Sequence, residues 1–497
     1  MSAEARPRWL LAALGLVSAG AWAWLAFAFP ATSARRDVLT FLAIVAGLFL
    51  LSAAALPAAR GRSALRTILL FAALFRGLLL FAGLPPGPAE ETWSALRDDL
   101  SGRRIGYSTF LLYDDDVWRY LWDGHVTAAG LDPYARSPWE IRDRYDEGRA
   151  TPAEEVLLDG PIAFDVLDQV RFGSYGTIYP PLAQILFRMS NALAPGSVFA
   201  WKLVAALFDL GTCVLLARLL VRLGRGPEAC VLYAWSPLAI KEIAGSGHVD
   251  AVMVFLLVLA AERALAGRDR ASLAAYGASI LAKLATIPAA GLFLRRAHPR
   301  AWWVLPAVGG GLALPFWRGL PDLAANLSVF GREWAFNTGP WLAAVRTFEA
   351  LGMGDPEAAA HLVTKAAALV LAVLVTLRVD PADDRRWILG LLVVLAGLTL
   401  LNAAVMPWYL LWALPFAVAA GVRSWEVLAA LSFLSYLVYC EHAERAWWLW
   451  VEYGGLAVAA AVELTVRPGL RRDLAALVLP LRSTASAPTA ARPQSRP

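Results

Sequence analysis

The sequence predicts an all-α, polytopic membrane protein with about 12 spans plus re-entrant or broken helices. Its 497 residues are 59% hydrophobic and the mean hydropathy is +0.54, whereas soluble domains are typically about 45–50% apolar. The charged residues cluster in short strips between apolar runs, and a bilayer-spanning helix needs about 20 residues with few charges. Lipid is therefore predicted to be the main solvent of this chain.

Apolar runs of spanning length define the candidate helices. They cover residues 9–29, 38–56, 66–84, 201–221, 228–243, 249–265, 301–317, 357–378, 387–404, 407–421, 425–440 and 446–466. Residues 179–195 and 271–294 are predicted to enter and leave the membrane on one side. Their prolines, Pro180-Pro181 and Pro288, supply the breaks that such re-entrant segments need.

Arginine strips indicate the orientation of the chain in a cell membrane. The strips are Arg60, Arg62 and Arg66; Arg218, Arg222 and Arg225; Arg263, Arg268 and Arg270; Arg295, Arg296 and Arg300; Arg385 and Arg386; and Arg467, Arg471 and Arg472. The positive-inside rule places all six in the cytoplasm together with both termini. The net charge of +5 then reflects topology and contact with anionic lipid, and no nucleic-acid partner is expected.

This topology divides the chain into five regions. They are residues 1–84 with three N-terminal helices, an extracytoplasmic acidic loop at 85–178, a core with re-entrant segments at 179–300, C-terminal helices at 301–472 with an external loop at 318–340, and a cytoplasmic tail at 473–497, disordered from about residue 482. All three cysteines lie in apolar segments, so neither a disulfide framework nor a thiolate metal site is expected.

The densest polar cluster is the stretch YDDDVWRYLWDGH at residues 113–125. If a helix begins near Asp115, the i, i+3, i+4, i+7 spacing puts one set of side chains on a single face. That set is Asp116, Arg119, Tyr120 and Asp123. Such a face can keep one carboxylate ionised as a base beside a phosphate-binding cation.

A structural alternative exists for the same cluster. The carboxylates of residues 114–116 can cap free amides at a helix N-terminus, with Arg119 pairing back to Asp115. Three consecutive carboxylates exceed what a cap needs, which favours a functional role. At the far end of the loop, Tyr179 and the two prolines after it stiffen the return to the membrane, although a rigid turn is the usual reason for paired prolines.

Two further groups of ionisable residues lie at or inside the apolar segments. Lys241 and Glu242 precede a glycine turn that holds His248 and Asp250; charges at such places are functional candidates, although they also snorkel or pair. A lone histidine is more often a structural residue than a metal ligand. Lys283 lies within a broken helix, where an unpaired ammonium costs at least about 2.5 kcal/mol, so a lipid phosphate or a protein carboxylate must balance it.

Aromatic side chains stand beside polar groups at two places on the predicted outer boundary. These are Arg332-Glu333-Trp334 and Trp408-Tyr409. Interfacial belts explain most of the 21 tryptophans, but sugar rings also stack on such faces. Composition alone does not separate the two interpretations.

In their order along most of the chain, these stretches resemble the GT-C superfamily of membrane glycosyltransferases, particularly glycosyltransferase family 87 and related polyprenol-phosphate-mannose-dependent mannosyltransferases. The resemblance implies a GT-C-like helical fold and a hexosyltransferase whose active site is extracytoplasmic. Its donor would be a polyprenyl-phosphate-linked hexose, with mannose as the family-level expectation. Its acceptor would be a hydroxyl of a lipid or a glycan.

The resemblance also implies roles for residues. A loop aspartate, Asp115 or Asp116, would be the general base. Substrate contacts would come from Arg119, Tyr120, Asp123, Tyr179, Lys241, His248, Asp250, Lys283, Arg332, Trp408 and Tyr409. No cofactor is required and no metal ligands are predicted, because arginine and lysine can neutralise a departing phosphate, although a divalent metal is compatible with the chemistry. Three spans precede the acidic loop, whereas many members have their catalytic aspartate soon after the first helix, so the choice of base stays open.

Two other functions fit the same helices. A transporter or flippase of lipid-linked sugars would also have an intramembrane lysine and broken segments, but it predicts similar halves and polar residues near the midplane. The acidic cluster lies in a loop and no half-repeat is visible, which favours the enzyme. A catalytically inactive GT-C-like scaffold for a partner enzyme is the third reading.

Overall fold

Helices make up the regular structure of this protein. The computed structural model describes residues 5–83, 89–102, 111–160, 163–441 and 446–478. Within those ranges the one extended pairing is an isolated bridge between Phe336 and Ala404, and the all-α prediction is confirmed there. The tail predicted to be disordered from about residue 482, and parts of the 85–178 loop, lie outside the described residues.

Three long helices begin the chain, close to the predicted apolar runs. They are α1 (Ala5–Phe27), α2 (Arg35–Ala58) and α3 (Arg62–Leu79). On α2 the buried residues recur every three or four positions, as at Val38, Phe41, Val45 and Leu48, which is the spacing of one helix face. This face packs into the core, and the remaining surface is free to meet lipid.

The predicted loop folds into short helices rather than an irregular excursion. They are α4 (Ala89–Ser101), α5 (Val117–Ala128), α6 (Pro138–Asp146), α7 (Pro152–Leu158) and α8 (Ala163–Leu167). Two of them carry recognisable start signals: Ser137 accepts the Glu140 backbone N–H, and Thr151 forms a capping box with Glu154. The described parts of the loop are therefore a set of short helices that can hold side chains in fixed positions.

The core region contains short and interrupted helices. They are α9 (Pro181–Leu193), α10 (Val198–Arg222), α11 (Val231–Ala234), α12 (Pro237–Ala239), α13 (Asp250–Leu265), α14 (Asp269–Ala282) and α15 (Ala290–Arg296). A π-helical turn, Ile240–Gly245, links α12 towards α13. The break predicted at Pro288 occurs instead at Lys283, whose backbone is extended, because Pro288 fits inside a 3₁₀ turn over Leu284–Ala289.

The C-terminal region alternates long helices with broken ones. Its helices are α16 (Val304–Ala313), α17 (Leu320–Glu333), α18 (Pro340–Ala350), α19 (Pro356–Arg378), α20 (Asp384–Leu400), α21 (Leu414–Ala420), α22 (Ser424–Leu431), α23 (Trp448–Val466) and α24 (Pro468–Val478). Two predicted spans, 407–421 and 425–440, contain 3₁₀ turns at Pro407–Trp412 and Ser432–Tyr439. These turns lie beside the candidate site.

Five helices among the described residues are long and apolar enough to cross a membrane. They are α1 from Trp9, α2, α10, α19 and α23. This agrees with a polytopic membrane protein. The figure of about 12 spans remains a prediction, because the other predicted runs are shorter, more charged or interrupted.

A buried ion pair ties three of the core helices together. Arg76 on α3 donates from Nε to Oδ2 of Asp209 on α10 at 2.6 Å, and from Nη1 to the Ala234 carbonyl at 2.8 Å. The Tyr233 hydroxyl donates to the other Asp209 oxygen. A buried charge pair is tolerated when further hydrogen bonds satisfy its remaining atoms, so this network fixes the packing around α10.

Close packing of α5 on α9 gives a testable prediction. A Cβ atom on Gly124 would lie 2.7 Å from the Phe187 carbonyl oxygen, so Gly124→Ala should separate the helices and cost about 1–3 kcal/mol of stability. Gly77→Ala is the matched control, since a Cβ there meets nothing within 4 Å. Thermal unfolding of both variants in detergent checks this, and equal melting temperatures would contradict it.

Candidate active site

The three aspartates of the acidic cluster lie just before α5, not inside it. Tyr113 has a left-handed backbone (φ +55°), and its carbonyl accepts the Tyr439 hydroxyl at 2.7 Å. Asp114 accepts the Asp116 backbone N–H at 3.1 Å, which is a local turn. Asp116 occupies the N-cap position but its side chain makes no capping bond. The capping explanation therefore accounts for little of this cluster.

The ion pairs of the cluster differ from the structural alternative. Asp115 pairs with Arg171 at 3.0 Å, so the expected pairing with Arg119 is wrong. Arg119 instead pairs with Asp123 at 2.9 Å, one turn along α5, and donates to the Tyr175 carbonyl at 2.8 Å. The shared helix face predicted for Arg119 and Asp123 is confirmed by this contact.

Asp114, whose side chain is 8% exposed, meets four buried side chains, Lys241, Glu242, His248 and Tyr436, and we call these five residues the buried charge cluster. Lys241 Nζ is 3.1 Å from Glu242 Oε2 and also contacts the Tyr436 hydroxyl. That hydroxyl donates to Glu242 Oε1 at 2.8 Å. His248 Nε2 is 3.4 Å from Glu242 Oε2 and 3.6 Å from Asp114 Oδ2. Charges from two parts of the chain, and a tyrosine hydroxyl from a third, thus meet at one point.

The π-helical turn explains how Lys241, Glu242 and His248 come together. The turn widens the backbone over Ile240–Gly245, and Gly247 follows with φ +78°. The His248 backbone N–H returns to the Glu242 carbonyl at 3.2 Å. Such turns occur often at functional sites. The paired residues and the histidine therefore sit on one side of a tight reversal.

Within the cluster, the negative and positive side chains shift each other's pKa values in the direction that favours the charged forms of His248 and Asp114. Although burial acts to lower it, the carboxylates of Asp114 and Glu242 raise the pKa of His248 to about 9. Burial opposes ionisation of Asp114, yet His248 and then Lys241 hold the pKa of that carboxyl below its usual value. Two carboxylates then face an imidazolium and an ammonium, and such pairing of opposite charges offsets the cost of burying them.

The next two aspartates, Asp115 and Asp116, have raised rather than lowered pKa values. Burial and the Asp114 carboxylate raise the pKa of Asp116 to about 7, with His248 acting the other way. Burial and Asp114 also raise the pKa of Asp115 to about 6, opposed by Arg171. A carboxylate that gains or loses its proton near neutral pH is suited to general base chemistry.

Two adjoining cavities open at the acidic cluster, and Asp116 lines both. The larger, of about 620 Å³, is lined by Asp114, Asp115, Asp116, Arg171, Phe172, Tyr175, Glu333, Trp334, Ala335, Phe336, Met406, Pro407, Trp408, Ser435, Tyr436, Val438 and Tyr439. The smaller, of about 420 Å³, is lined by Asp116, Arg119, Arg171, Phe172, Ser174, Tyr175, Gly176, Thr177, Ile178, Tyr179, Lys283, Asn326, Val329, Phe330, Trp334, Met406, Trp408 and Tyr409. Asp116 is therefore the carboxylate at which the two chambers meet.

Lys283 belongs to a second charge pair at the base of the smaller cavity. Its Nζ is 2.9 and 2.8 Å from the two carboxylate oxygens of Asp250, and it lies 4.5 Å from the centre of the Tyr409 ring. Trp412 Nε1 donates to the same carboxylate. Of the two partners that the sequence allowed for Lys283, the structure shows the protein carboxylate.

The aromatic residues predicted near the site do line it. Trp408 stacks on His248 with ring centroids 3.8 Å apart and faces both cavities, while Tyr409 faces the smaller one. Tyr120 is buried behind them, stacked on Phe187 at 4.9 Å and edge-on to Tyr179 at 5.0 Å. These contacts fix the cavity wall, and Tyr120 supports it from within.

Asp123 and Arg332 are placed away from the acidic cluster. Asp123 is 1% exposed and accepts Gln184 Nε2 at 2.9 Å in addition to Arg119. Arg332 is exposed and donates only to Ser328, at 3.3 Å, among the described residues. It lines neither cavity, whereas its neighbours Glu333 and Trp334 do.

The segment after Arg332, which we call the strap (residues 334–338), is held by hydrogen bonds of its two central residues, Phe336 and Asn337. Phe336 exchanges backbone hydrogen bonds with Ala403 and Val405 at 3.0 and 2.8 Å. Asn337 donates from Nδ2 to Glu452 on α23 at 2.8 Å, and its carbonyl accepts the Tyr453 hydroxyl at 2.9 Å. The outer wall of the larger cavity is therefore fastened to α23.

Potential metal ligands exist at the site. Asp114, Glu242 and His248 each offer a ligand atom within 4.8 Å of the others, as do the three aspartates of residues 114–116. Both His248 nitrogens lack a hydrogen-bond partner among the described residues. However, the Lys241 ammonium already contacts the Glu242 oxygen that a metal would need. The carboxylates of this group are therefore suited to being balanced by cationic side chains.

Several site residues were not assigned a role from the sequence. Asp114 and Glu242 belong to polar stretches that the sequence marks as functional candidates, but no catalytic or substrate-binding role was assigned to either. Tyr436 and Tyr439 were absorbed into a predicted span, although two tyrosines three residues apart in an apolar run hint at a buried polar contact. Arg171 carried no signal, because a single arginine in a charged loop is indistinguishable from a solvent-exposed one.

Comparison with known proteins adds to this geometry. A sequence model of the N-terminal domain of the alpha-(1->6)-mannopyranosyltransferase family matches residues 109–296. The resemblance to membrane mannosyltransferases is confirmed. The range matched by this family model contains the acidic cluster, the π-helical turn and Lys283. It ends before the strap and the aromatic wall around Trp408.

Two curated relatives carry the same description. The chain is 26% identical over 342 residues to alpha-(1->6)-mannopyranosyltransferase B of Corynebacterium glutamicum, an alignment that covers 61% of this chain and 55% of that protein. It is 26% identical over 366 residues to a probable alpha-(1->6)-mannopyranosyltransferase of Mycolicibacterium smegmatis, with 61% of each chain covered. The chain thus spans between half and two thirds of the relatives it matches. No solved structure matches it.

The pair of Lys283 and Asp250 gives a second prediction. Lys283→Met should cost about 3–5 kcal/mol of stability, because it leaves a buried carboxylate unpaired. The double variant Lys283→Met with Asp250→Asn should recover most of that loss. Thermal unfolding in detergent measures both, with Lys365→Met as the control for removing a lysine that meets only a carbonyl. Equal destabilisation in the single and double variants would show that the pair is not coupled.

Proposed function

We propose that this protein is a mannosyltransferase that moves mannose from a polyprenyl-phosphate donor to a sugar hydroxyl at the extracytoplasmic face of the membrane. The observation that carries the proposal is the position of Asp116. Its side chain is 38% exposed and it stands where two cavities join, while its partial burial and Asp114 raise its pKa to about 7. The match to mannosyltransferases supports the choice of sugar.

Asp116 is a better candidate base than Asp115. The Asp115 carboxylate is engaged by Arg171 at 3.0 Å and lines only the larger cavity. Asp116 has His248 Nδ1 at 3.9 Å and no closer cation among the residues that the structure describes. A carboxylate must give up its ion pair before it can accept a proton from a substrate. The contact of Asp116 with His248 is longer than that of Asp115 with Arg171, so Asp116 gives up less.

The chemistry proposed is a single displacement. The acceptor hydroxyl oxygen attacks the anomeric carbon and its proton passes to Asp116, while the bond from that carbon to the phosphate oxygen breaks. The electron pair leaves with the polyprenyl phosphate. Because one displacement inverts the anomeric centre, an α-linked product, as the relatives' names describe, requires a β-linked donor.

The two cavities suit the two substrates. The smaller one has apolar walls at Ile178, Val329 and Phe330 together with Arg119 and Lys283, which suits a lipid-linked phosphate. The larger one presents rings and carboxylates, which suits a polar acceptor glycan. The donor would then place its anomeric carbon at Asp116, where the acceptor arrives from the other chamber.

Arg171 is the proposed partner of the phosphate group that leaves the donor. It lines both cavities, and its side chain is 57% exposed, whereas the side chains of Arg119 and Lys283 are 13% and 17% exposed. Its guanidinium can therefore turn from Asp115 towards the charge that develops on the leaving phosphate. With such cations present, the reaction as proposed needs no metal ion or other cofactor.

Loss of the base is the direct test. Asp116→Asn should lower mannosyl transfer by about 10²–10⁴-fold, the typical value of general base catalysis, with unchanged folding. The assay supplies radiolabelled polyprenyl-phosphate mannose and an α-mannan acceptor to the purified protein. Asp168→Asn, in the same loop but paired with Arg142, is the matched control and should keep its activity.

Other outcomes of that assay discriminate the alternatives. If Asp115→Asn and not Asp116→Asn abolishes transfer, the base is misassigned but the enzyme stands. If no donor sugar is transferred and labelled donor instead crosses between leaflets of proteoliposomes, the protein is a transporter. If a chelator abolishes transfer and Mn²⁺ restores it, the metal-free chemistry is wrong.

The pKa of Asp116 sets a pH dependence. The base must be ionised, so with a pKa of about 7 the rate should rise about tenfold per pH unit below 7 and level off above it. The measurement is initial rate from pH 5 to 9 at constant ionic strength. A rate that is flat between pH 5 and 7 would mean that the catalytic base has an ordinary carboxyl pKa.

A further inference from the structure

A basic groove lies at the opposite end of the core from the acidic cluster. Helix α13 begins at Asp250, beside Lys283, and ends at Leu265, which at 1.5 Å per residue is about 22 Å away. The groove opens there between α3, α10 and the end of α13, with a volume of about 700 Å³. It is thus separate from both cavities of the candidate active site.

The groove combines apolar walls with an excess of positive charge. Leu69 and Val221 contribute to the apolar side, and Val221 is 58% exposed. The basic side consists of Arg218, Arg222, Arg263 and Arg268. A single carboxylate, Glu262, lines the groove with them. Four guanidinium groups against one carboxylate leave a strong net positive charge.

Glu262 fixes the positions of two of the groove's arginines. It is 2% exposed and holds Arg222 at 2.8 Å through Oε1 and Arg263 at 3.0 Å through Oε2. Arg218 and Arg268 have no side-chain partner among the described residues. The buried carboxylate therefore orients two guanidinium groups and leaves two others available for an anion.

We propose that this groove binds the phosphodiester headgroup of an anionic phospholipid, with an acyl chain along its apolar wall. Arg218 and Arg268 would contact the phosphate, since guanidinium groups bind phosphate oxygens with two parallel hydrogen bonds. Basic pockets between membrane helices on the cytoplasmic side are known to suit such headgroups. A second concavity that shares Arg268 and adds Arg270 and Arg300 extends the same positive surface.

The test uses the full chain in detergent and native mass spectrometry. Dioleoylphosphatidylglycerol should bind at least about tenfold more tightly than dioleoylphosphatidylcholine, and Arg218→Gln with Arg268→Gln should weaken phosphatidylglycerol binding about tenfold or more. The control is Arg471→Gln with Arg472→Gln, which removes two exposed arginines from α24 and should change nothing. A melting curve for each variant confirms folding.

Each remaining outcome decides the question. Equal binding of the two lipids to the wild-type protein, which requires no variant, overturns the proposal, as does an Arg218/Arg268 variant that binds like wild type. If glycerophosphoglycerol or inorganic phosphate competes at the same concentration as the lipid, the groove takes a soluble phosphate and the lipid assignment is wrong. If only the two-chain lipid competes, the apolar wall participates as proposed.

Discussion

The candidate site depends on the balance of charge inside the buried charge cluster. Two carboxylates, an ammonium and a histidine with a raised pKa meet where almost no side chain is exposed. Removing one member would strand another in a low-dielectric interior, at a cost of several kcal/mol. The cluster therefore locks the turn before α13 to the acidic segment before α5 and to the 3₁₀ turn that holds Tyr436.

That lock explains why the acidic segment stands in an extended turn rather than a helix. The Asp114 carboxylate contacts the cluster and lines only the larger cavity, whereas Asp116 lines both cavities. A negative neighbour held ionised by His248 then keeps Asp116 short of full ionisation at neutral pH. The Asp114 carboxylate thus raises the pKa of the one carboxylate that lines both cavities.

Sequence reasoning could predict the parts of this arrangement that are local. The first three helices, the Arg119–Asp123 pair and the aromatic wall follow from apolar length and helical spacing. The breaks at Lys283 and around Ile240–Gly245 could not be located, because they depend on contacts between distant residues, which are 33 positions apart for Lys283 and Asp250 and 194 for Glu242 and Tyr436. Arg171, and the pairing of Lys283 with Asp250, likewise follow only from tertiary contacts.

The fastening of the strap to α23 has a mechanical consequence. Helix α23 has 19 residues, a length of about 28 Å that is close to the thickness of a bilayer's hydrocarbon core. A thinner or thicker bilayer makes such a helix tilt or shift, and Asn337 would carry that displacement to the mouth of the larger cavity. The position of the strap, and with it the width of the larger cavity, would then follow the thickness of the surrounding membrane.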